Sequence, residues 1–201
     1  MVSVPHTESR DTRVYILELS IPLFAARGYD GVSMRNISTA VGIKTASIYH
    51  HFPDKHALYL AAMEHVFIHK AEGFTQSLVG TGTPQERLKH FVFHFTEFIA
   101  HHPDFRRLLQ RELLDGDESR LKFLTEHVFK APFRAITTLS QELAPDFDPN
   151  LFAVSLAGLV LFHFETSPIR KFLSGGKPEH EDVNVVTQHV MHMMGLALEN
   201  K

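Results

Sequence analysis

Apolar residues return along most of this chain at intervals of three and four and never as a sustained alternation, so the pattern predicts helices and no strand. The first helix is expected over residues 11–27, the second over 34–41, the third over 44–51 and the fourth over 54–78. Gly80 and Gly82 break the pattern. Thr83-Pro84-Gln85-Glu86 then forms a capping box with proline at the first helical position and opens a fifth helix reaching His102. Pro103 starts a sixth, ending at Gly116. A seventh is expected over 119–143, kinked at Pro132, and Asp148-Pro149 opens an eighth that runs to Thr166. A ninth follows Ser174-Gly175-Gly176, over 179–199. The one hairpin-type dipeptide, Asp30-Gly31, falls in a connection between helices. An all-α fold of about nine helices follows.

Residues 33–55, SMRNISTAVGIKTASIYHHFPDK, carry the clearest functional signal. Ser33 can cap a short helix whose apolar side is Ile37, Ala40 and Val41, and Gly42 supplies the left-handed corner that ends it. In the next helix Ile48 and Phe52, four apart, point inward and turn Lys44, Thr45, Ser47, Tyr49 and His50 outward. Pro53 stops it, and Pro53 or Asp54 begins the next. Two short helices about a glycine corner, the second with a polar, short-armed face, are the pattern of a DNA-reading helix-turn-helix.

The longer stretch from Thr12 to Leu58 resembles the N-terminal domain of the TetR/AcrR family of transcriptional regulators. The resemblance rests on LFAARGYDGVSM (Leu23 to Met34), AVGIKTASIYHHF (Ala40 to Phe52) and PDKHAL (Pro53 to Leu58), in that order and spacing. It implies a DNA-binding domain over residues 1–54 and a helical effector-binding and dimerisation domain over 55–201. It also implies a repressor that binds a palindromic operator as a homodimer and is released by a small effector. On this reading Lys44, Thr45, Ser47, Tyr49 and His50 face DNA, while Ser33 and Lys55 meet phosphates. Two positions depart from the family pattern. Pro22 lies inside the first helix, where it crowds the Glu18 carbonyl and predicts a bend. Ser38 replaces a small alanine between the two short helices, and its hydroxyl is expected on the carbonyl four residues back.

Charge does little to strengthen the DNA reading. The chain carries a formal −3, and its first 60 residues hold six Lys/Arg against five Asp/Glu. Phosphate neutralisation dominates affinity for DNA, so a near-neutral domain must concentrate its cations or use hydroxyls and backbone N–H groups. Between Ser33 and Lys55 there are three cations (Arg35, Lys44, Lys55) and one anion (Asp54). The absence of cysteine excludes disulfides and thiolate metal sites, and no apolar run is long enough to span a bilayer, which leads to the expectation of a cytoplasmic protein without membrane association.

The residues beyond Gly80 are rich in phenylalanine. Phe91, His94, Phe95, Phe98, Phe123, His127 and Phe162 are candidates for a pocket taking an apolar or aromatic effector, with plain core packing as the competing reading. Leu156, Leu159, Val160 and His163 on the eighth helix, with Val186, Val190, Met193 and Met194 on the ninth, are candidates for an interface between two subunits. Alternatively they only close the core. Fifteen histidines raise an alternative from another class, a metal-binding protein, because His65/His69 and His90/His94 have the i, i+4 spacing of ligand pairs. His-Glu-x-x-His is absent, as are Gly-x-Ser-x-Gly and a phosphate-cradling glycine loop. No enzyme, cofactor or resident metal is expected.

Overall fold

The computed structural model describes residues 9–195, leaving out the side chains of 9–11, 67–75 and 79. The described residues are helical, without a strand. The chain forms two compact units: residues 1–67 with 107–124, and residues 68–106 with 125–201.

The first unit holds α1 (Ser9–Arg27), α2 (Met34–Val41), α3 (Thr45–His51), the beginning of α4 (Lys55–Val79), most of α6 (Pro103–Asp115) and α7 (Glu118–Leu124). Its core is Ile16, Leu17, Phe24, Ile37, Ile48, Phe52, Leu58, Tyr59, Leu108 and Leu124, each almost fully buried. Burial of such a side chain contributes about 1.5–3 kcal/mol. Helix α1 runs through Pro22 as one assigned helix, and both Glu18 and Pro22 face solvent, where water can take the carbonyl that proline leaves without a donor. Gly28, at φ +73°, turns the chain out of α1. The Arg111 side chain donates to the carbonyls of Ala25 (3.1 Å) and Ala26 (2.8 Å), which the helix end would otherwise leave unpaired.

In the second unit α5 (Pro84–His101) packs against α9 (Pro149–Glu165) and α11 (Val183–Met193), and α8 (Lys130–Leu143) packs against α5 and α9. The caps expected from sequence form. Thr83 Oγ1 accepts the Glu86 N–H while Glu86 Oε2 accepts that of Thr83, and Asp148 accepts from Asn150 and Leu151.

The single helix expected over 119–143 is instead α7, a π-helical turn at Thr125–Phe129 and then α8. Pro132 cannot donate to the carbonyl of Val128, and the ladder widens just before it. Between α9 and α11 lie two short pieces that the pattern did not announce, α10 (Ser167–Arg170) and a 3-10 turn at Pro178–Glu181. The last helix therefore starts at Val183, capped by Asp182, and not at 179. Its expected continuation to 199 lies outside the described residues.

Candidate nucleic-acid interface

The helix-turn-helix is built from local signals. Ser33 Oγ accepts the Asn36 N–H at 3.1 Å and Asn36 Oδ1 accepts the Ser33 N–H at 2.9 Å, a capping box with asparagine in place of the usual acid or glutamine. Gly42 adopts φ +79°, and both its N–H and that of Ile43 return to the Ser38 carbonyl. Ser38 Oγ donates to the Arg35 carbonyl, three residues back where four were expected, and accepts the Thr45 hydroxyl at 2.9 Å. Helix α3 is anchored by Ile48, fully buried, with Phe52 buried at its end.

That anchoring sets which side chains α3 can offer to a partner. Lys44 and His50 are exposed, Tyr49 is about half exposed, and Ser47 is half-buried. Thr45 is half-buried and its hydroxyl proton is spent on Ser38, so its methyl and the oxygen lone pairs are what it can offer a ligand. Arg13, which the sequence did not single out, lies in α1 with its guanidinium 4.9 Å from the centre of the Phe52 ring, adding an exposed cation beside the end of α3. Only a fold that brings α1 across Phe52 could reveal it. Arg35 is exposed on α2.

Lys55 occupies a defined position and does not extend freely into solvent. Its Nζ donates to the Tyr29 carbonyl at 2.9 Å and lies 4.1 Å from the centre of the Tyr29 ring. The same ring carries the Arg120 guanidinium at 4.9 Å. Arg120 Nε donates to Glu112 Oε2 at 2.7 Å, and the other carboxylate oxygen of Glu112 accepts the Tyr59 hydroxyl at 2.5 Å. Glu112 is completely buried. Burial and the hydrogen bond to Glu112 push the Tyr59 hydroxyl well above the usual phenol range. Burial acts to lower the Arg120 pKa, but the bond to and charge of Glu112 outweigh it and leave the guanidinium more firmly protonated.

The candidate effector residues are distributed over both units. Phe91 and Phe98 are buried in the second unit. Phe91 stacks on Phe95 at 5.6 Å, and Phe98 on His102 at 4.6 Å. His94 is exposed beside Glu97, and His127 is exposed in the π turn. Phe123 belongs to the first unit. Phe162, 70% exposed, lines a groove of about 940 Å³ between α9 and α11 with Leu159, His163, Val185, His189 and Met193.

Four of the eight candidate interface residues lie in the core and four reach the surface. Leu156, Val160, Val186 and Val190 are 0–1% exposed and fill the core of their own unit. The solvent side of α9 carries Leu151, Val154 and Phe162, with Leu159 and His163 at its margin. That of α11 carries Val185, His189 and Met193, with Met194 half-buried. His163 Nε2 donates to the His180 carbonyl at 2.6 Å and the Arg170 guanidinium lies 3.0 Å from Nδ1. Burial first, then the positive charge of Arg170 and the neighbouring His189 and His180, hold the imidazole below its ordinary pKa against the opposing pull of the His180 carbonyl.

Among the described residues no group of three His, Asp or Glu side chains is placed to hold a metal ion. His90 and His94 are exposed, and the side chain of His69 lies outside the described residues. No helix of the described residues is long and apolar enough to cross a membrane.

Comparison with known proteins gives a consistent family. Residues 16–62 match the model of bacterial regulatory proteins of the tetR family. The transcriptional repressor NicS of Pseudomonas putida is 25% identical over 103 residues, 51% of this chain and 49% of NicS, so the match spans about half the length of that relative. IcaR of Staphylococcus epidermidis, a negative transcriptional regulator of a biofilm operon, is 28% identical over 155 residues, 75% of this chain and 79% of IcaR. The fold is similar to that of the fatty acid degradation regulator FadR from Bacillus halodurans, with a TM-score of 0.75 and 15% identity over 97% of this chain and all of the other. The capped helix-turn-helix thus lies within residues 16–62, which match the tetR-family model, and the chain is similar to TetR-family transcriptional regulators.

Proposed function

We propose that this regulator is a repressor that binds a palindromic operator as a homodimer and is released by a small, largely apolar or aromatic effector. The observation that carries the reading is the outward face of α3: Lys44, Tyr49 and His50 project beyond a buried Ile48, with Ser33 at the start of α2. Two copies of such a helix, spaced to enter successive major grooves roughly 34 Å apart, read a two-fold sequence. A repressing role is favoured by the descriptions of NicS and IcaR as a repressor and a negative regulator.

Pairing is supported by the exposed apolar stripe of Leu151, Val154 and Phe162 on α9 beside Val185 and Met193 on α11, a patch that water would not favour leaving open. An effector that prefers one spacing of the two reading helices shifts the population away from the DNA-competent state. Phe91, Phe95 and Phe98 remain the aromatic residues proposed to meet it. Electrophoretic mobility shift with fragments from beside the chain's own coding sequence tests the reading. Specific, salt-sensitive retardation of a palindrome-bearing fragment is expected, and retardation of no fragment would overturn it. Mass spectrometry of the purified protein would identify a co-purified effector.

A further inference from the structure

The Tyr29 ring is approached by two cations, and they come from different stretches of the chain. Lys55, at the first turn of α4, holds the Tyr29 carbonyl and one part of its ring; Arg120, on α7, lies over the same ring. Arg120 is 8% exposed and reaches four further groups: Glu112 and Asp115 on α6, Asp117 before α7, and the ring of Tyr59 on α4 at 5.8 Å. The chain passes between the two units at three places, after residue 67 in α4, after 106 in α6 and after 124 at the end of α7. Arg120 therefore sits on one of the three helices that make those passages and bonds or touches the other two, and through Tyr29 it adjoins the lysine proposed to meet phosphate.

We infer that Arg120 is a positioning residue for DNA binding, fixing Lys55 through the shared Tyr29 ring so that the state of α6 and α7 governs the phosphate contact. The inference rests on the proposed role of Lys55. An ammonium has three N–H donors and Tyr29 takes one, so Lys55 can hold a phosphate oxygen while its stem stays pinned. Loss of the pin makes the same contact cost side-chain ordering that the folded protein otherwise meets in advance. Arginine suits the position because its planar group covers the ring and presents Nε to Glu112 at once, which lysine cannot do.

A double-mutant cycle tests it. Fluorescence anisotropy with a duplex from upstream of the chain's own coding sequence is measured for wild type, Lys55→Ala, Arg120→Lys and the double variant, with circular dichroism to follow folding. Arg120→Lys keeps a positive charge for Glu112; should it fail to fold, Tyr29→Leu, which leaves the Arg120–Glu112 pair intact, takes its place. The expected result is that Arg120→Lys weakens binding about fivefold or more with helicity unchanged, and has no further effect once Lys55 is alanine. Losses that multiply in the double variant, or wild-type affinity in both Arg120→Lys and Tyr29→Leu, would overturn the inference. A harmless Lys55→Ala alongside a damaging Ser47→Ala would refute it too, while sparing the regulator reading. Wild-type protein that retains no fragment refutes that reading first.

Discussion

Thr45 donates its hydroxyl to Ser38 at 2.9 Å, and Ser38 passes its own proton to the Arg35 carbonyl at 3.0 Å. The relay joins the opening of α3 to the body of α2 across the glycine corner, at the position where a plain alanine is expected from the family pattern. A hydroxyl that reads as part of the DNA face is in this way a strut of the motif. Thr45→Ala should cost about 0.5–1.5 kcal/mol in urea unfolding, and adding Ser38→Ala should cost less than the two singles combined, since they share one interaction. Full additivity would show that the relay does not hold in solution.

Lys55 and Ser47 separate positioning from reading. Lys55→Ala should weaken binding to operator and to random duplex by a similar factor and flatten the salt dependence by about one unit per subunit. Ser47→Ala should leave random binding nearly intact while relaxing discrimination at particular base pairs by roughly 1 kcal/mol or more. Titrations at several salt concentrations on both duplexes distinguish the two, and equal salt slopes for Lys55→Ala and wild type would remove the phosphate contact.

Glu112 makes the first unit sensitive to single substitutions. Replacing it with alanine removes the buried carboxylate from Arg120, which keeps only the outer carboxylates of Asp115 and Asp117, and takes the acceptor from the Tyr59 hydroxyl, and should cost about 3–5 kcal/mol, whereas Tyr59→Phe removes one bond and should cost about 1–3 kcal/mol. Chemical denaturation gives both values. A loss below 1 kcal/mol for Glu112→Ala would mean that Asp115 and Asp117 suffice to hold the Arg120 guanidinium.

Acid should loosen the second unit through His163. Its pKa in the folded chain lies below the ordinary 6.5, so the native state binds fewer protons there than the unfolded one. The contribution is complete above that value and is lost as pH falls through and below it. Melting temperature followed from pH 8 to 5 should drop, and His163→Gln should flatten that part of the curve. A wild-type profile that is level across the window, or unchanged by the substitution, contradicts this.

Phe162 tests the proposed pairing. Phe162→Asp should give a monomer by light scattering with helicity retained, because the ring is mostly in solvent, whereas Val160→Asp, two residues away and fully buried, should unfold the chain. A dimeric Phe162→Asp protein would move the interface elsewhere.

The legible parts of the fold were those with local chemistry. The Ser33 cap, the Thr83 box, the Gly42 corner and the start of α9 at Asp148-Pro149 each act within four residues, and each is where the sequence puts it, while the Asn36 half of a box at Ser33 emerged only from the structure. Helix α9 was recognisable as a helix, but LFAVSLAGLVLFHF has apolar residues on every side. Periodicity therefore gave no way to choose Leu156 and Val160 for the core over Leu151 and Phe162 for solvent. The π turn was signalled only indirectly, by Pro132. The Arg120–Glu112–Tyr59 network and the Arg13–Phe52 contact join residues whose partnership depends on tertiary packing, and nothing in their neighbours' identity announces it.

The first unit is discontinuous, and that sets an order on its formation. Leu108, Leu109, Glu112, Arg120 and Leu124 all belong to its interior, yet 39 residues of the other unit, 68–106, separate them from Phe67. During synthesis the helix-turn-helix is made early but its Tyr59 hydroxyl and the carbonyls of Ala25 and Ala26 wait for partners roughly fifty to ninety residues downstream, a long closure by the standards of a small helical domain. A ribosome that stalls before residue 124, or a truncation ending at Phe67, would leave the DNA-reading helices attached to a half-covered core and exposed to proteases.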